Sequence, residues 1–319
     1  MHNQHETQEV ASRPGRALVQ RRVDGVLLLD KPIGLSSNAA LQLVKRMYRA
    51  EKAGHTGTLD PLACGLLPLC FGEATKFAHA LLDADKTYVA TFRLGSTTST
   101  GDAEGKVIER HRVDISESEL LGALRRFIGC IDQLPPMHAA LKYRGRNYYE
   151  YARQGVEIPR TPRAVVIHAL TLDAWNPPDA SVRVRCGKGT YVRVLAEDLG
   201  RALGCGAHLA ALRRTASGAF DVATAIDLDA LAALTDAERD ARLLPVDALL
   251  ASLPRLELDS VEAARFVQGR SVDRGGLADG SYCVYADGRF TGLARAAACI
   301  ARPQRLVTQG GATIESLES

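Results

Sequence analysis

The chain has 319 residues, 46% of them hydrophobic and 24% charged, a balance that excludes both a disordered polymer and a membrane-embedded bundle. Its net charge of +3 is too small to mark a nucleic-acid protein by itself. Seven cysteines with no CxxC pair and no short Cys/His spacing argue against a zinc site and for reduced thiols, several of them buried.

Residues 1–22 are polar and arginine-bearing and are expected to form a disordered tail. The first 20 residues lack a signal-peptide core, and no apolar run reaches the length of a membrane span, so a cytoplasmic protein is expected. The stretch GVLLLDKP at 25–32 predicts a buried strand closed by a proline turn, and Ser36 or Ser37 predicts the cap of a helix over 39–48. No GxxxxGK pattern follows that strand, which argues against a nucleotide loop.

Residues 54–65 read GHTGTLDPLACG and fix one carboxylate, Asp60, between glycine-permitted turns and Pro61, which biases Asp60 towards extended backbone. Two readings are open. In one, Asp60 caps a helix over 62–69 with Pro61 at its first position. In the other, the segment is a shaped loop that presents a carboxylate; capping alone does not account for three glycines and His55 within a dozen residues.

Alternation predicts a strand over 86–95, then a polar loop over 96–105 in which Asp102 either touches a ligand or caps a turn. A capped amphipathic helix is expected over 116–128. Residues 142–163 carry six basic against two acidic side chains, interleaved with Tyr143, Tyr148, Tyr149 and Tyr151. Guanidinium groups neutralise phosphates and aromatic rings offer stacking faces, so this mixture suits RNA. Strands are predicted over 165–175 and 181–186, and over 190–194 leading into a helix through 202.

Basic residues outnumber acidic ones seven to two over 183–214, whereas 227–262 has nine acidic to three basic, so the positive charge sits mid-chain. Within it, GKGTYVR at 187–193 reads as a glycine pair opening a strand whose Tyr191 and Arg193 share a face. A guanidinium can pair with a carboxylate and a tyrosine can stack on a base, which makes Asp60 a natural partner of Arg193. After residue 249 short strands are expected over 253–260, 280–286, 290–295 and 305–308, a small β-rich domain.

The segments GVLLLDKPIGLSSN, GHTGTLDPLACG, DKTY, ALKYRGRNYYEYARQG, KGTYVR and LGCGAHLAALRRT, in that order from about residue 24 to 215, closely resemble the motifs of the TruB family of bacterial tRNA pseudouridine-55 synthases. The C-terminal part is less well matched, its closing ARPQRLV only faintly resembling a PUA-like RNA-binding module. The resemblance implies an α+β pseudouridine synthase fold: a central mixed, largely antiparallel sheet flanked by helices and loops. It also implies a catalytic domain over 23–249 and a PUA-like domain over 250–319.

It further implies that Asp60 is the catalytic aspartate, Tyr88 the active-site tyrosine, and Arg193 the arginine that pairs with the aspartate. Tyr191 and Leu212 fall on positions that contact the target nucleotide, His55 on a histidine that helps hold the flipped loop, and Lys31 and Pro32 on a motif supporting the active-site loop. Cys64 departs from the threonine common in relatives. The implied reaction isomerises uridine 55 in the T loop of tRNA after base flipping. Atoms are conserved, so neither cofactor nor metal is expected, nor an obligatory protein partner, and a monomer is expected.

Three alternatives stand beside that reading. A non-catalytic tRNA-folding chaperone could use the same surface. A glycosidase-like hydrolase would share attack at C1′ but usually needs a second carboxylate, which neither signature segment offers. A guide-dependent synthase of the same superfamily would work inside a larger ribonucleoprotein.

Overall fold

A computed structural model describes residues 19–308 apart from 138 and 140. Most of the tail expected over 1–22, and the end of the domain expected over 250–319, from 309 on, lie outside the described residues. Arg21 and Arg22 are fixed: Arg21 forks onto the Asp240 carboxylate at 2.5 and 2.7 Å, and Arg22 donates to Thr308 O.

Ten strands form the larger sheet. Along its main path they run Ile226–Asp227, Gly25–Lys31, Ala63–Phe71, Ala207–Ser217, Lys86–Leu94, Asp179–Cys186, Arg163–Asn176 and Gly129–Gln133, with Ala53–His55 and Phe220–Asp221 paired at the side. The pairs Gly25–Lys31 with Ile226–Asp227 and Ala63–Phe71 with Ala207–Ser217 are parallel, and the others are antiparallel. The sheet is thus mixed and largely antiparallel, as expected. One core packs Leu27, Leu29, Leu67, Phe92 and Val182 against Val44 of the helix Ser37–Met47, against Tyr48 that follows it, and against Leu195 and Leu199 of the helix Val192–Ala202. Ser36 caps the first of these helices by accepting from Ala39 N at 3.1 Å, and Ser116 closes a capping box with Glu119 at the helix Glu117–Arg125.

Two sequence expectations near the site are corrected. Residues 63–71 form a strand, not a helix, because ACGLLPLCF is apolar on every side and is buried on both faces of the sheet, with no polar stripe for a helix to turn outward. Asp60 therefore caps nothing. Residues 190–194 are not a strand either: Gly189, at φ +78°, turns the chain, Tyr191 is the extended residue before a helix, and the helix runs Val192–Ala202. The signal was present in Val192, Leu195, Ala196 and Leu199, whose spacing is helical and whose side chains are buried.

The C-terminal part forms a separate five-stranded sheet ordered Arg255–Leu258, Gly280–Ala286, Arg289–Ala297, Ile300–Leu306 and Val272–Asp273. Its last long strand begins five residues earlier than expected, and a helix, Ser260–Val267 capped by Asp259, stands where the strand over 253–260 was expected to close. The two sheets share apolar contacts, including Phe77 against Phe290 at 5.3 Å between ring centres.

Candidate active site

Asp60 sits in a loop held from three directions. Ser37, buried at the start of its helix, donates to Leu59 O at 3.0 Å and accepts from Leu59 N at 2.7 Å, which pins the residue before the aspartate. Pro61 O accepts from Gly34 N at 2.8 Å. Lys31, fully buried, donates to Pro32 O and Leu35 O and stiffens the neighbouring turn. Gly65, at φ +100°, cannot be another residue, since a Cβ there would lie 2.3 Å from Arg214 O on the adjacent strand.

Beside that loop lies a cavity of about 400 Å³, whose lining includes Asp60, Tyr88, Tyr191, Arg193, Leu212 and Arg214. Five of the predicted site residues therefore converge, although they come from a loop, two strands and one helix start. His55 is not part of this lining. It ends the strand Ala53–His55, half-buried, and its Nδ1 is enclosed with no hydrogen-bond partner among the described residues. Burial, and then the nearby Arg214 charge, push its pKa below the ordinary histidine value.

Arg193 organises the charge. It is 6% exposed, donates from Nη2 to Asp60 Oδ2 at 2.5 Å, and places Nη1 at 3.2 Å from both Asp102 Oδ2 and Thr100 O. One guanidinium thus bridges a half-exposed carboxylate and a buried one. The Asp60 side chain is 39% exposed, and its Oδ1 accepts no hydrogen bond from the described residues. An oxygen that is positioned through its twin yet left unbonded is free to attack an electrophilic carbon or to take a proton.

Asp102 was read from sequence as a loop residue with two possible roles, and it performs the turn role in full. Its Oδ1 accepts from Thr100 Oγ1 at 2.5 Å and from Glu104 N at 3.2 Å. Its second oxygen nevertheless completes the Arg193 bridge, a contact the sequence did not reveal. The signal available was an acidic residue in a glycine-bounded loop, which many turns share. Arg214, Lys86 and Gln133 were likewise missed. Gln133, buried on an edge strand, pairs its amide with both backbone groups of Tyr191, at 3.0 and 3.2 Å, and so fixes the start of the Arg193 helix.

Tyr88 is buried in the middle of its strand, directly across from Val184 and Arg214, and burial raises its pKa above the ordinary phenol value. Tyr191 is shifted the same way by the same cause. Both phenols are therefore neutral hydrogen-bonding and stacking surfaces at neutral pH. Tyr191 also packs with the cluster of Ala139, Tyr148 and Ile158, which joins the cavity to the basic, tyrosine-rich stretch. That stretch folds as a hairpin, Lys142–Tyr143 with Arg146–Asn147, followed by a helix, Tyr148–Arg153, and stacks Arg144 over Tyr143 and Arg146 over Tyr151. No cluster of metal-binding side chains occurs among the described residues.

Comparison with known proteins places this geometry in context. Three family models match in succession: TruB family pseudouridylate synthase (N terminal domain) over residues 45–192, tRNA pseudouridylate synthase B C-terminal domain over 193–251, and Pseudouridine synthase II TruB, C-terminal, over 254–307. The chain is 55% identical over 309 residues to the tRNA pseudouridine synthase B of Burkholderia mallei (strain ATCC 23344), covering 94% of this chain and 99% of the relative. It is 55% identical over 297 residues to the protein of the same name from Azoarcus sp. (strain BH72), covering 93% and 99%. Among solved structures, a chain of a Cbf5-Nop10-Gar1 complex is similar with a TM-score of 0.68 and 26% identity, covering 88% of this chain and 84% of that one.

Proposed function

The chain belongs to the TruB family of pseudouridine synthases, and from that premise we propose that it isomerises uridine 55 in the T loop of tRNA, with Asp60 as the catalytic group. It is a tRNA pseudouridine synthase, an isomerase, and no helix among the described residues is long and apolar enough to cross a membrane. The observation that carries the site assignment is the Asp60–Arg193 pair at 2.5 Å at the edge of a cavity flanked by two tyrosines.

The target base is buried in the folded tRNA elbow and has to be extruded before it can react. Tyr88 and Tyr191 offer it aromatic surface and Leu212 an apolar contact, while Arg193 holds Asp60 against the sugar. Asp60 Oδ1 then either attacks C1′ or removes the C2′ proton, the N1–C1′ bond breaks, the base turns, and C5 joins C1′. His55 acts outside the cavity, on the shape of the loop that presents the nucleotide. The hairpin and helix of residues 142–153 grip the T-arm backbone, and the five-stranded sheet adds a second RNA contact.

We place this activity in the cytoplasm and assign it to the chain acting alone, as a monomer. Incubating tRNA with purified wild type and with Asp60→Ala, then mapping pseudouridine, tests the reading. Modification at the T-loop uridine by wild type only is expected, and release of free uracil or unmodified RNA from wild type would refute it. Equal modification of a T-arm stem-loop by the isolated chain checks that no guide RNA or partner is required.

A further inference from the structure

Two cations that line the cavity have no role in the proposed reaction. Arg214 is 1% exposed and Lys86 is 7% exposed, and both line the cavity with Asp60 and Tyr88. They are adjacent: a Cβ built on Gly57 would lie 3.4 Å from Arg214 Nη1 and 4.0 Å from Lys86 Cε. Neither forms an ion pair among the described residues. Arg214 donates to Leu66 O at 2.6 Å and Gly57 O at 3.3 Å, and it pairs across the sheet with Tyr88. Lys86 donates to Leu81 O, Leu82 O and Ala84 O.

The acidic residues nearest Lys86 are already engaged elsewhere. Asp83 pairs with Lys188 at 3.0 Å, and Asp85 with His168 at 3.1 Å and Arg185 at 3.0 Å. Two buried positive charges facing only neutral acceptors are costly to fold around, and neutral donors could serve those carbonyls without the cost. Asp60 and Arg193 also line the cavity, as an ion pair, and Arg193 reaches in addition the buried Asp102 outside the lining. The lining therefore holds one carboxylate and three cations, of which Arg214 and Lys86 have no carboxylate partner among the described residues.

We propose that Arg214 and Lys86 are a fixed positive wall that stabilises the uracil anion released when the N1–C1′ bond breaks, an inference that rests on the isomerase reading above. Whether Asp60 bonds to C1′ or takes the C2′ proton, the electron pair of the N1–C1′ bond leaves on the base. The charge spreads over N1, O2 and O4. When C5 joins C1′, Asp60 is released or returns its proton to C2′, and the proton lost from C5 balances the one gained at N1. The anion exists only between these steps, so a preset positive wall favours the transition state over bound uridine.

The test compares single-turnover loss of the N-glycosidic linkage in T-arm RNA carrying uridine or 5-fluorouridine at the target, since fluorine makes the base a better leaving group. Lys86→Gln and Arg214→Gln keep donors for the carbonyls and remove charge. They should slow uridine cleavage about 100-fold while RNA affinity stays within about threefold, and the loss should shrink to about tenfold or less on 5-fluorouridine. Lys86→Arg and Arg214→Lys should recover most of the rate. Equal losses on both RNAs, or an unaffected Lys86→Gln enzyme, would overturn the inference, and Lys86→Gln decides alone if Arg214→Gln does not fold. Wild type that converts no uridine would instead sink the isomerase reading itself, and an active Asp60→Asn protein the role given to Asp60.

Discussion

The two sheets bury different things. Lys31, Lys86, Asp102, Arg193 and Arg214 are all buried charged side chains of the larger sheet and its loops, whereas the C-terminal sheet buries only Thr291 as a polar side chain among the described residues. Its interior is otherwise Leu256, Leu258, Phe266, Val272, Tyr282, Val284 and alanines. Burying a charge costs several kcal/mol unless it is well paired, so the larger sheet gives up stability at one place and the smaller sheet nowhere. The difference sets the region that carries the proposed site apart from the C-terminal sheet.

The largest effect expected from attacking this contrast is at Asp60. Asp60→Asn keeps the volume and loses the charge, so turnover should fall at least about 1,000-fold while tRNA affinity stays within about tenfold. Rapid-quench assays with filter binding measure both. More than about a tenth of the wild-type rate would contradict a nucleophilic or proton-abstracting role.

Arg193 comes next, because it serves both carboxylates. Arg193→Lys should lose about 100-fold in rate, since one ammonium cannot reach Asp60 and Asp102 in the fork geometry of a guanidinium. Arg193→Leu leaves buried Asp102 without its cation and should cost about 3–5 kcal/mol in urea unfolding. Adding Asp102→Asn should recover part of that loss. A double variant no more stable than Arg193→Leu would mean that the Asp102 contact carries no energy.

The same contrast explains what could be read from sequence. The strand Gly25–Lys31, the helix Ser37–Met47 with its Ser36 cap and the strand Lys86–Leu94 follow from local pattern, and the structure has them within two residues of expectation. The strand Ala63–Phe71 was misread because a segment buried on both faces has no alternation to distinguish it from a buried helix. The helix carrying Arg193 was misread because two glycines and Tyr191 looked like a strand opening. The pairing of Asp60 with Arg193 was suggested by the residues themselves, a carboxylate in a glycine-framed loop and a guanidinium able to hold it, and the motif resemblance favoured the loop reading of Asp60 over the cap. Arg214 and Lys86 were illegible, since nothing local distinguishes a buried cation from a surface one.

The shared apolar contacts between the sheets predict a smaller functional effect. Cutting the chain after residue 249 would expose Val26, Leu28, Leu66 and Phe77, so such a truncation should be poorly soluble, and its failure would say little about RNA binding. Phe290→Ser is the milder probe. It removes the ring packed on Phe77 and Tyr285 and should cost about 3 kcal/mol in stability, with the rate per folded molecule unchanged on a T-arm hairpin. A slowed rate in fully folded protein would mean that the two regions are coupled.

The smallest effect is at His55, and it joins the contrast to pH. Its pKa is pushed below the ordinary value of 6.5 by burial first and by the Arg214 charge second, and a proton on its enclosed Nδ1 has no acceptor among the described residues. The folded state therefore prefers neutral imidazole. Above about pH 6.5 both folded and unfolded chains are neutral at this site and its full stability is present. As pH falls further the unfolded chain takes the proton first, and stability declines until the folded-state pKa is passed. His55→Gln should flatten the dependence of Tm on pH between 7 and 5 relative to wild type. Arg214→Gln should raise the His55 pKa in an NMR titration, because one of its two depressing causes is gone while burial remains. An unmoved His55 titration in a folded Arg214→Gln protein would show that the Arg214 charge does not reach this side of the loop, and would confine its influence to the cavity.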